Sequence, residues 1–395
     1  MEPKVSFIIP CYNLAHFLAD SVNSVLSQTY GDFEILIMDD CSPDSTPEVA
    51  AEFKDPRVIY IRNEINLGNI RNYNKGIELA RGRYIWLISA DDCLRSKHVL
   101  QRYFDLLEKN PQVGYAFCPA VTLRDGAESG IENWSAWPGT RDRILSSREM
   151  LKRSATQCPV CSPTGLVRKE LYTRVGGFPV ELPRTGDWYL WAAFAVTHDV
   201  GYYAEPMVYY RRHSTNMDLV MKEEEPSAFF DQELMAIWFI NKAVEKAGMQ
   251  DLSSDCIRSL VNGYIRRLVE KEVADRQYGL TWEVAKQEIL DYASSDDQAE
   301  EILRMLHSGW PKALAARRSF IGTLHYNEGK LEPAVASFRS SLASNPWGIR
   351  PRFYLGAMRL EKLLGIQLVP WLKLLKSGLF RFLRPLTCRL SFLQD

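Results

Sequence analysis

The sequence predicts an α/β fold whose first domain is a Rossmann-like, mostly parallel sheet, followed by an all-α C-terminal region. Apolar runs of strand length alternate with segments of helical periodicity over the first 100 residues, a pattern typical of right-handed βαβ units. Two of these runs end in paired aspartates, and parallel α/β sheets bind ligands beyond the carboxyl ends of their strands. Beyond residue 217 or so, helical patterns replace the strand-like runs.

The elements of the first half follow in chain order. Val5–Pro10 is a short apolar run typical of a buried strand. A helix follows it, with Asn13 as the expected N-cap and Gly31 after its end. The next elements are strands at Phe33–Met38 and Val58–Ile61, a helix over about 69–80, and a fourth strand from Tyr84.

Asp91 and Asp92 close the fourth apolar run. Two adjacent carboxylates at the end of a buried strand are costly unless a cation lies beside them. Mn²⁺ or Mg²⁺ carrying a diphosphate would supply that charge, because hard divalent ions prefer carboxylate oxygens and share their shell with phosphate. A solvated acidic turn is the alternative. Asp39 and Asp40 end the neighbouring strand, where an Asx turn before a helix is an equal explanation.

Several classes of protein lose support from composition. Neither G-x-G-x-x-G nor a Walker-type glycine-rich loop follows the first strand, which disfavours dinucleotide redox enzymes and P-loop hydrolases. The net charge of -1 and the lack of a basic, aromatic-rich patch in the first half predict no nucleic-acid partner. Eight scattered cysteines and no visible leader at Met1 predict a cytoplasmic location. The one C-x-x-C, Cys158–Cys161, lacks a second pair of metal ligands and is interpreted as reduced cysteines.

Residues 3–216 contain an ordered series of motifs that resembles glycosyltransferase family 2, whose catalytic domain has the GT-A fold. The matching motifs are Val5–Asn13, Gln28–Tyr30, Glu34–Thr46, Asn66–Gly68, Asn74–Ile77, Ala80–Tyr84 and Ala90–Asp92. The resemblance implies an inverting glycosyltransferase, hexosyltransferase-like and metal-dependent, that acts in surface polysaccharide or glycan synthesis. It implies a nucleotide-diphosphate sugar donor, with a UDP-sugar favoured, and a saccharide or lipid-linked saccharide acceptor.

The resemblance also implies roles by position. The residues expected to bind the nucleotide-sugar are Pro10, Tyr12, Asp40, Asn66, Arg71, Lys75 and Asp91. Lys75 is equally explained as a solvated helical lysine. Asp92, joined by His213, would hold Mn²⁺ or Mg²⁺ on the diphosphate, and Arg211 or Arg212 would stabilise the leaving phosphate. Many relatives carry Asp-x-Asp-Asp where this chain begins with Ser89.

The resemblance implies that Asp187 is the general base, which inverting transfer needs on the acceptor hydroxyl. It follows the Gly-Gly-Phe turn at 176–178, and Gly186 stands where relatives commonly carry Glu. The alternative explanation is an acid at a helix N-terminus, which the helix dipole favours. The expected acceptor-side residues are Thr164, Gly165 and Trp188, and Trp188 is equally explained as a core residue.

The predicted domains are residues 1–220 (GT-A domain), 221–310 (helical region), 311–364 (helical hairpin) and 365–395 (basic amphipathic tail). The hairpin resembles tetratricopeptide repeats, since Leu355-Gly356 recurs 34 positions after Ile321-Gly322. It would bind a protein partner, mediate homo-oligomerisation, or serve as a structural cap. The alternative to an enzyme is a catalytically degenerate transferase fold that acts as a partner-binding scaffold, which the departures at Ser89 and Gly186 motivate.

The segment 370–393 is basic and amphipathic. Such a segment predicts peripheral contact with the cytoplasmic face of a membrane, and packing on the preceding helices is the alternative. Membrane contact would suit a lipid-linked acceptor. Processive polysaccharide synthases are disfavoured, because no apolar run of about 18 residues occurs in the chain.

Overall fold

The computed structural model describes residues 2–274, 279–293 and 295–364. The chain divides into two compact units, residues 1–260 and 261–395. The strands are β1 Val5–Cys11, β2 Phe33–Asp39, β3 Val58–Arg62, β4 Tyr84–Leu87, β5 Cys93–Leu94, β6 Val113–Phe117, β7 Ala120–Arg124, β8 Ala127–Ile131, β9 Arg143–Leu145, β10 Leu166–Arg168, β11 Asp199–Tyr202 and β12 Val208–Arg212.

Helices cover the sheet of the first unit and make up the described part of the second. The helices are α1 Ala15–Leu26, α2 Thr46–Glu52, α3 Asn69–Leu79, α4 Val99–Lys109, α5 Ser147–Ser154, α6 Lys169–Val175, α7 Gly186–Ala195, α8 Met217–Glu224, α9 Pro226–Lys246, α10 Gln250–Ala274, α11 Trp282–Leu290, α12 Asp296–Asn327, α13 Leu331–Ser344 and α14 Ile349–Leu364.

The main sheet has eight strands in the order β3-β2-β1-β4-β10-β6-β11-β9. β1, β2, β3 and β4 run parallel to one another, whereas β10 pairs antiparallel with both β4 and β6. Every residue of β1, β2 and β4 is buried, as expected for strands covered by helices on both faces. The prediction of a Rossmann-like, mostly parallel sheet followed by a helical region is confirmed.

The register of this sheet aligns the strand ends that the sequence marks with aspartates. Cys11 of β1 lies opposite Asp39 of β2, and the backbone N–H of Ala90, just beyond β4, donates to the carbonyl of Pro10. The acidic pairs after β2 and β4 therefore flank the end of β1 at one edge of the sheet.

A smaller sheet in the order β5-β12-β7-β8 completes this edge. Its strand β5 begins directly after Asp92, and Cys93 pairs with Tyr209 of β12. This antiparallel pairing brings the end of β12, with Arg211 and the following His213, beside the acidic turn after β4.

The N-terminus of α1 differs from the sequence prediction. The helix begins at Ala15, and Asn13 precedes it in the left-handed region with φ 57° instead of serving as the N-cap. The backbone N–H of Ala15 is bound by the Asp44 carboxylate at 2.9 Å. A side chain 29 positions away thus satisfies the first turn of α1 in place of a local cap.

The described end of the second unit is a helical hairpin. A short turn, in which Lys330 N–H donates to the His325 carbonyl, joins α12 to α13. Phe338 of α13 stacks on Tyr354 of α14, with ring centroids 5.0 Å apart, and both pack in a cluster with Tyr326. The likeness to tetratricopeptide repeats remains a prediction, and the tail predicted at 365–395 lies outside the described residues. Within residues 2–364, apart from the gaps, no helix is long and apolar enough to cross a membrane.

Gly82 provides a test of the contact between β1 and the segment that leads into β4. A Cβ at this position would lie 2.5 Å from the backbone nitrogen of Ser6 and 2.7 Å from the carbonyl carbon of Val5, atoms that cannot move without disturbing β1. We expect Gly82→Ala to lower the free energy of unfolding by about 2 kcal/mol, measured by urea denaturation. Gly31→Ala is the control, because nothing lies within 4 Å of its added Cβ. Equal effects of the two substitutions would contradict the close approach.

Candidate active site

An open pocket of about 180 Å³ lies at the carboxyl edge of β4. It is lined by Asn69, Ile70, Tyr73, Leu87, Ser89, Asp91, Asp92, Ser162, Pro163, Phe178, Pro183, Arg184, Gly186, Asp187, Tyr210, Asn216, Met217 and Asp218. The structure thus brings Asp91 and Asp92 into one pocket with Asp187, although Asp187 lies nearly 100 positions further along the chain.

Asp92 lines the pocket and is buried, with 3% of the residue exposed. Its Oδ1 accepts a hydrogen bond of 2.9 Å from the backbone N–H of Arg211. Burial, followed by the proximity of the Asp91 carboxylate, raises the pKa of Asp92 well above its usual range. The ionised form of Asp92 is therefore disfavoured until a cation approaches.

Asp91 faces the segment that follows β12. Its Oδ2 lies 3.0 Å from His213 Nε2 and accepts a longer hydrogen bond of 3.4 Å from the Asn216 amide. Its Oδ1 is buried and has no hydrogen-bond partner among the described residues. An unsatisfied carboxylate oxygen is costly to bury, so this atom is available for a ligand in the pocket.

The donor chemistry of this turn fits a hard divalent cation. The turn offers two buried carboxylates, one with an unused oxygen, and carboxylate oxygens are the groups that Mn²⁺ and Mg²⁺ prefer. The His213 ring is hydrogen-bonded to Asp91, whereas the sequence analysis expected it to join Asp92. Among the described residues, no three His, Cys, Asp or Glu side chains are already clustered as a metal site. Substrate oxygens would have to complete the coordination shell.

Asp187 is the second residue of α7 and lines the other part of the pocket. Burial raises the pKa of Asp187 to about 7, opposed by the hydrogen bond that its carboxylate accepts from the Trp188 N–H at 2.7 Å. The Asp218 carboxylate raises this pKa further, and the Arg184 guanidinium lowers it. Gly186 leaves room here for Phe178, whose ring edge lies 3.1 Å from where a Cβ would stand.

Asp40 is engaged with the loop before α3. Its Oδ1 accepts hydrogen bonds from the Asn63 amide and from Leu67 N–H, both at 2.8 Å, and its Oδ2 accepts one from Gly68 N–H at 2.9 Å. Lys75 Nζ donates to the other end of the Asn63 side chain at 2.7 Å. A carboxylate has about four acceptor positions, so roughly one remains for a nucleotide.

The other residues expected at the nucleotide lie along the same edge, outside the lining of the pocket. Pro10 is buried in β1, and Tyr12 just beyond it is 49% exposed. Asn66 is exposed, and its side-chain oxygen accepts from Gly68 N–H at 2.9 Å. Arg71 is exposed on α3. Tyr12 therefore offers an open aromatic face, and Arg71 offers an accessible cation.

The residues expected on the acceptor side lie behind the pocket wall. Thr164 is fully buried, and its hydroxyl donates to the Cys161 carbonyl at 2.7 Å. Gly165 packs against the Trp191 ring, which would lie 2.3 Å from an added Cβ. Trp188 is buried, and its indole N–H donates to the Ser154 carbonyl at 2.8 Å. Ser162 and Pro163 form the wall in their place.

The two arginines after β12 already have acidic partners. Arg211 donates from Nε to the Asp91 carbonyl at 2.8 Å and pairs with Asp20 at 3.1 Å. Arg212 pairs with Glu132 at 3.1 Å. Both guanidiniums therefore fix the β12 edge, and Arg211 is the one that reaches the acidic turn.

Among the polar residues of the pocket to which sequence reasoning gave no role are Tyr73, Arg184, Asn216 and Asp218. Arg184 is mostly buried, pairs with Glu233 at 2.9 Å and lies 3.7 Å from Asp218. Asn216 follows His213 by three positions and accepts its backbone N–H at 2.7 Å. The short spacing from His213 was a signal in the sequence for Asn216. No such signal exists for Arg184 and Asp218, which approach each other only in the folded chain.

Comparison with known proteins agrees with this description. Residues 6–176, less than half of the chain, match the family model described as "Glycosyl transferase family 2". An uncharacterized protein of Mycobacterium tuberculosis is 28% identical over 60% of this chain and 76% of its own length. An uncharacterized glycosyltransferase of Nostoc is 29% identical over 54% of this chain and 66% of its own. The putative teichuronic acid biosynthesis glycosyltransferase TuaG of Bacillus subtilis is 38% identical over 23% of this chain and 37% of its own.

Among solved structures, the chain resembles Staphylococcus aureus TarS 1–349 in complex with UDP-GlcNAc, with a TM-score of 0.57. That similarity covers 86% of this chain and 91% of TarS 1–349 at 15% sequence identity, which shows a common fold. The fold is therefore that of the GT-A glycosyltransferases. Within it, residues 6–176 match the glycosyl transferase family 2 model, and together these similarities support a glycosyltransferase.

The raised pKa of Asp187 predicts a dependence of stability on pH. An acid whose pKa is higher in the folded state loses stability as pH rises from its unfolded value, about 4, through its folded value, about 7. Asp187→Asn removes that penalty, so we expect it to raise the free energy of unfolding at pH 8 by about 2 kcal/mol and to change it little at pH 4. Thermal unfolding at both pH values measures this.

Glu48→Gln is the matched control, because Glu48 is an exposed acid in the first turn of α2. Removing it should lower stability at pH 8 by about 0.5 kcal/mol through the helix dipole. If Asp187→Asn and Glu48→Gln change the free energy of unfolding at pH 8 alike, the burial of the Asp187 charge does not control the pH dependence of stability.

Proposed function

We propose that the first unit is an inverting, metal-dependent glycosyltransferase that moves a sugar from a nucleotide-diphosphate donor to a saccharide hydroxyl. The observation that carries this proposal is the pocket that holds Asp187, with its pKa near 7, together with the unsatisfied carboxylate of Asp91. A base titrating near neutrality and a site for a cation that compensates the anionic diphosphate are the two requirements of the reaction.

In this proposal the Asp187 carboxylate accepts the proton of the acceptor hydroxyl. The hydroxyl oxygen forms a bond to the anomeric carbon on the face opposite the diphosphate, and the bond from that carbon to the phosphate oxygen breaks. The electron pair of the broken bond leaves with the nucleoside diphosphate, so the configuration at the anomeric carbon inverts. Trp188 N–H holds one carboxylate oxygen of Asp187, which leaves the other free to take the proton.

Asp92 and Asp91 would hold Mn²⁺ or Mg²⁺, with His213 keeping Asp91 in place. When bound, the metal supplies positive charge to the departing diphosphate. Without compensation, two buried carboxylates would repel a diphosphate at this edge. The guanidinium of Arg211 adds positive charge beside the acidic turn, because its Nε donates to the Asp91 carbonyl. The guanidinium is held over the Phe17 ring, 4.5 Å from the ring centroid.

The nucleoside would lie along the edge from Tyr12 to the loop at 66–68. Tyr12 presents an open ring for a base, and the remaining acceptor position of Asp40 suits an N–H or hydroxyl donor. Arg71 is accessible to phosphate. A UDP-sugar is the favoured donor, in keeping with the sugar nucleotide in the TarS complex.

The names of similar proteins support a proposal for the biological setting. TuaG is named for teichuronic acid biosynthesis, and the Rhizobium meliloti protein ExoO for succinoglycan biosynthesis. We place this chain in surface polysaccharide synthesis at the cytoplasmic side, with a saccharide or lipid-linked saccharide acceptor. The helical second unit would serve as the site of homo-oligomerisation or of a protein partner.

Donor binding is tested by calorimetric titration with UDP, GDP and dTDP, each with Mn²⁺ and after chelation. We expect one nucleotide to bind at least tenfold more tightly with Mn²⁺, a loss of about 1.4 kcal/mol on chelation, and Asp92→Ala to remove that dependence. Glu48→Ala, an exposed acid in α2, should bind as the unchanged protein does. Absence of binding to all three nucleotides would favour the scaffold alternative.

The role of Asp187 is tested by the pH dependence of transfer. A base must be ionised to act, so kcat/KM should fall about tenfold per pH unit below the apparent pKa of about 7 and level off above it. We expect Asp187→Asn to lower kcat by about 10³ while nucleotide binding stays intact. A variant that keeps more than about one tenth of the activity would rule out Asp187 as the base.

A further inference from the structure

The start of α14 and the turn that precedes it expose large apolar side chains. Trp347 is 83% exposed, Ile349 is 85% exposed and Phe353 is 53% exposed. Isolated apolar residues on a surface are ordinary, but an indole, an isoleucine and a phenyl ring within seven positions form a patch that water does not favour. We call Pro346–Phe353 the hairpin tip.

The hairpin tip has a fixed shape. Trp347 N–H donates to the Asn345 side chain at 3.3 Å, and Gly348 N–H donates to the Asn345 carbonyl at 3.1 Å. The Arg352 guanidinium donates to the Pro346 carbonyl at 2.6 Å and lies 5.8 Å from the Trp347 ring centroid. The Phe338–Tyr354 stack anchors the base of the turn. The exposed side chains are therefore presented by a defined loop.

Positive charge surrounds these apolar groups. Arg350 and Arg352 are exposed within the hairpin tip. From residue 333 to residue 360 the sequence contains four arginines and neither Asp nor Glu. An occupant of this surface should therefore be apolar in part and anionic in part.

The sequence that follows carries charge of the same sign. Residues 365–395 contain five lysines and arginines and a single acid, Asp395. A sequence of that composition also suits an anionic surface.

We propose that the hairpin tip is a docking surface for bilayers containing anionic phospholipid. Trp347 and Ile349 enter the boundary between headgroups and acyl chains, where the amphipathic indole is favoured. Arg350 and Arg352 lie at the level of the lipid phosphates, which attract cations near the membrane surface. The proposal goes beyond sugar transfer and does not depend on it.

The test is co-sedimentation of the full chain with extruded vesicles of phosphatidylcholine and phosphatidylserine in a 3:1 ratio, and with phosphatidylcholine alone. We expect binding to the mixed vesicles, and a partition coefficient about tenfold lower for the double variant Trp347→Ser, Ile349→Ser, because two buried apolar side chains are lost. Arg350→Gln, Arg352→Gln should weaken binding to the mixed vesicles by a similar factor and reduce its dependence on salt.

Leu324→Ser, Leu331→Ser is the matched control. It removes two leucines that are 44% and 47% exposed near the turn at the other end of α13, and should bind as the unchanged chain does. The proposal is overturned if the hairpin-tip variant binds equally well, if phosphatidylcholine alone binds as well as the mixture, or if neither vesicle binds. It is also overturned if sedimentation equilibrium without vesicles shows that the hairpin-tip variant dissociates an oligomer, since a second copy would then be the occupant.

Discussion

The buried pair Asp91–Asp92 fixes the geometry of the candidate active site. Asp92 binds the backbone of Arg211, and Asp91 holds His213 and Asn216, so that two carboxylates attach the end of β12 and the start of α8 to the end of β4. One wall of the pocket is the acidic turn after β4, and another is the segment from the end of β12 to the start of α8, which Asp91 and Asp92 bind. The groups that would attract a metal therefore also shape the cavity in which a sugar would react.

Two pairs of aspartates stand at neighbouring strand ends, and their surroundings differ. After β2, Asp39 is fully buried and accepts from Tyr60, Arg62 and the Ser42 N–H, and Asp40 binds the loop before α3. After β4, Asp91 keeps an oxygen without a partner among the described residues. The first pair is compensated by protein groups and organises the edge, whereas the second pair is compensated only in part. Two identical pairs of aspartates therefore differ in how far the protein itself compensates their negative charge.

Much of this architecture could be predicted from the sequence, because continuous apolar runs identify buried parallel strands. The ordered motifs also indicated Asp91, Asp92 and Asp187, which the fold gathers into one pocket. What could not be predicted depends on contacts between distant segments. Trp188 turns inward to bind the backbone carbonyl of Ser154, and Asp44 replaces Asn13 at the start of α1. Neither a pattern nor a spacing encodes such partners.

The three-residue strand β10 has a consequence for how the chain folds. It lies between β4 and β6 in the middle of the main sheet, yet it is synthesised about 50 residues after β6. Until residues 166–168 are synthesised, β4 lacks its antiparallel partner, and its edge is open to pairing with other chains. Pairing across such sequence separation is slow. The centre of the sheet is therefore completed later than its β1–β4 half, and the edge of β4 stays exposed to aggregation during that interval.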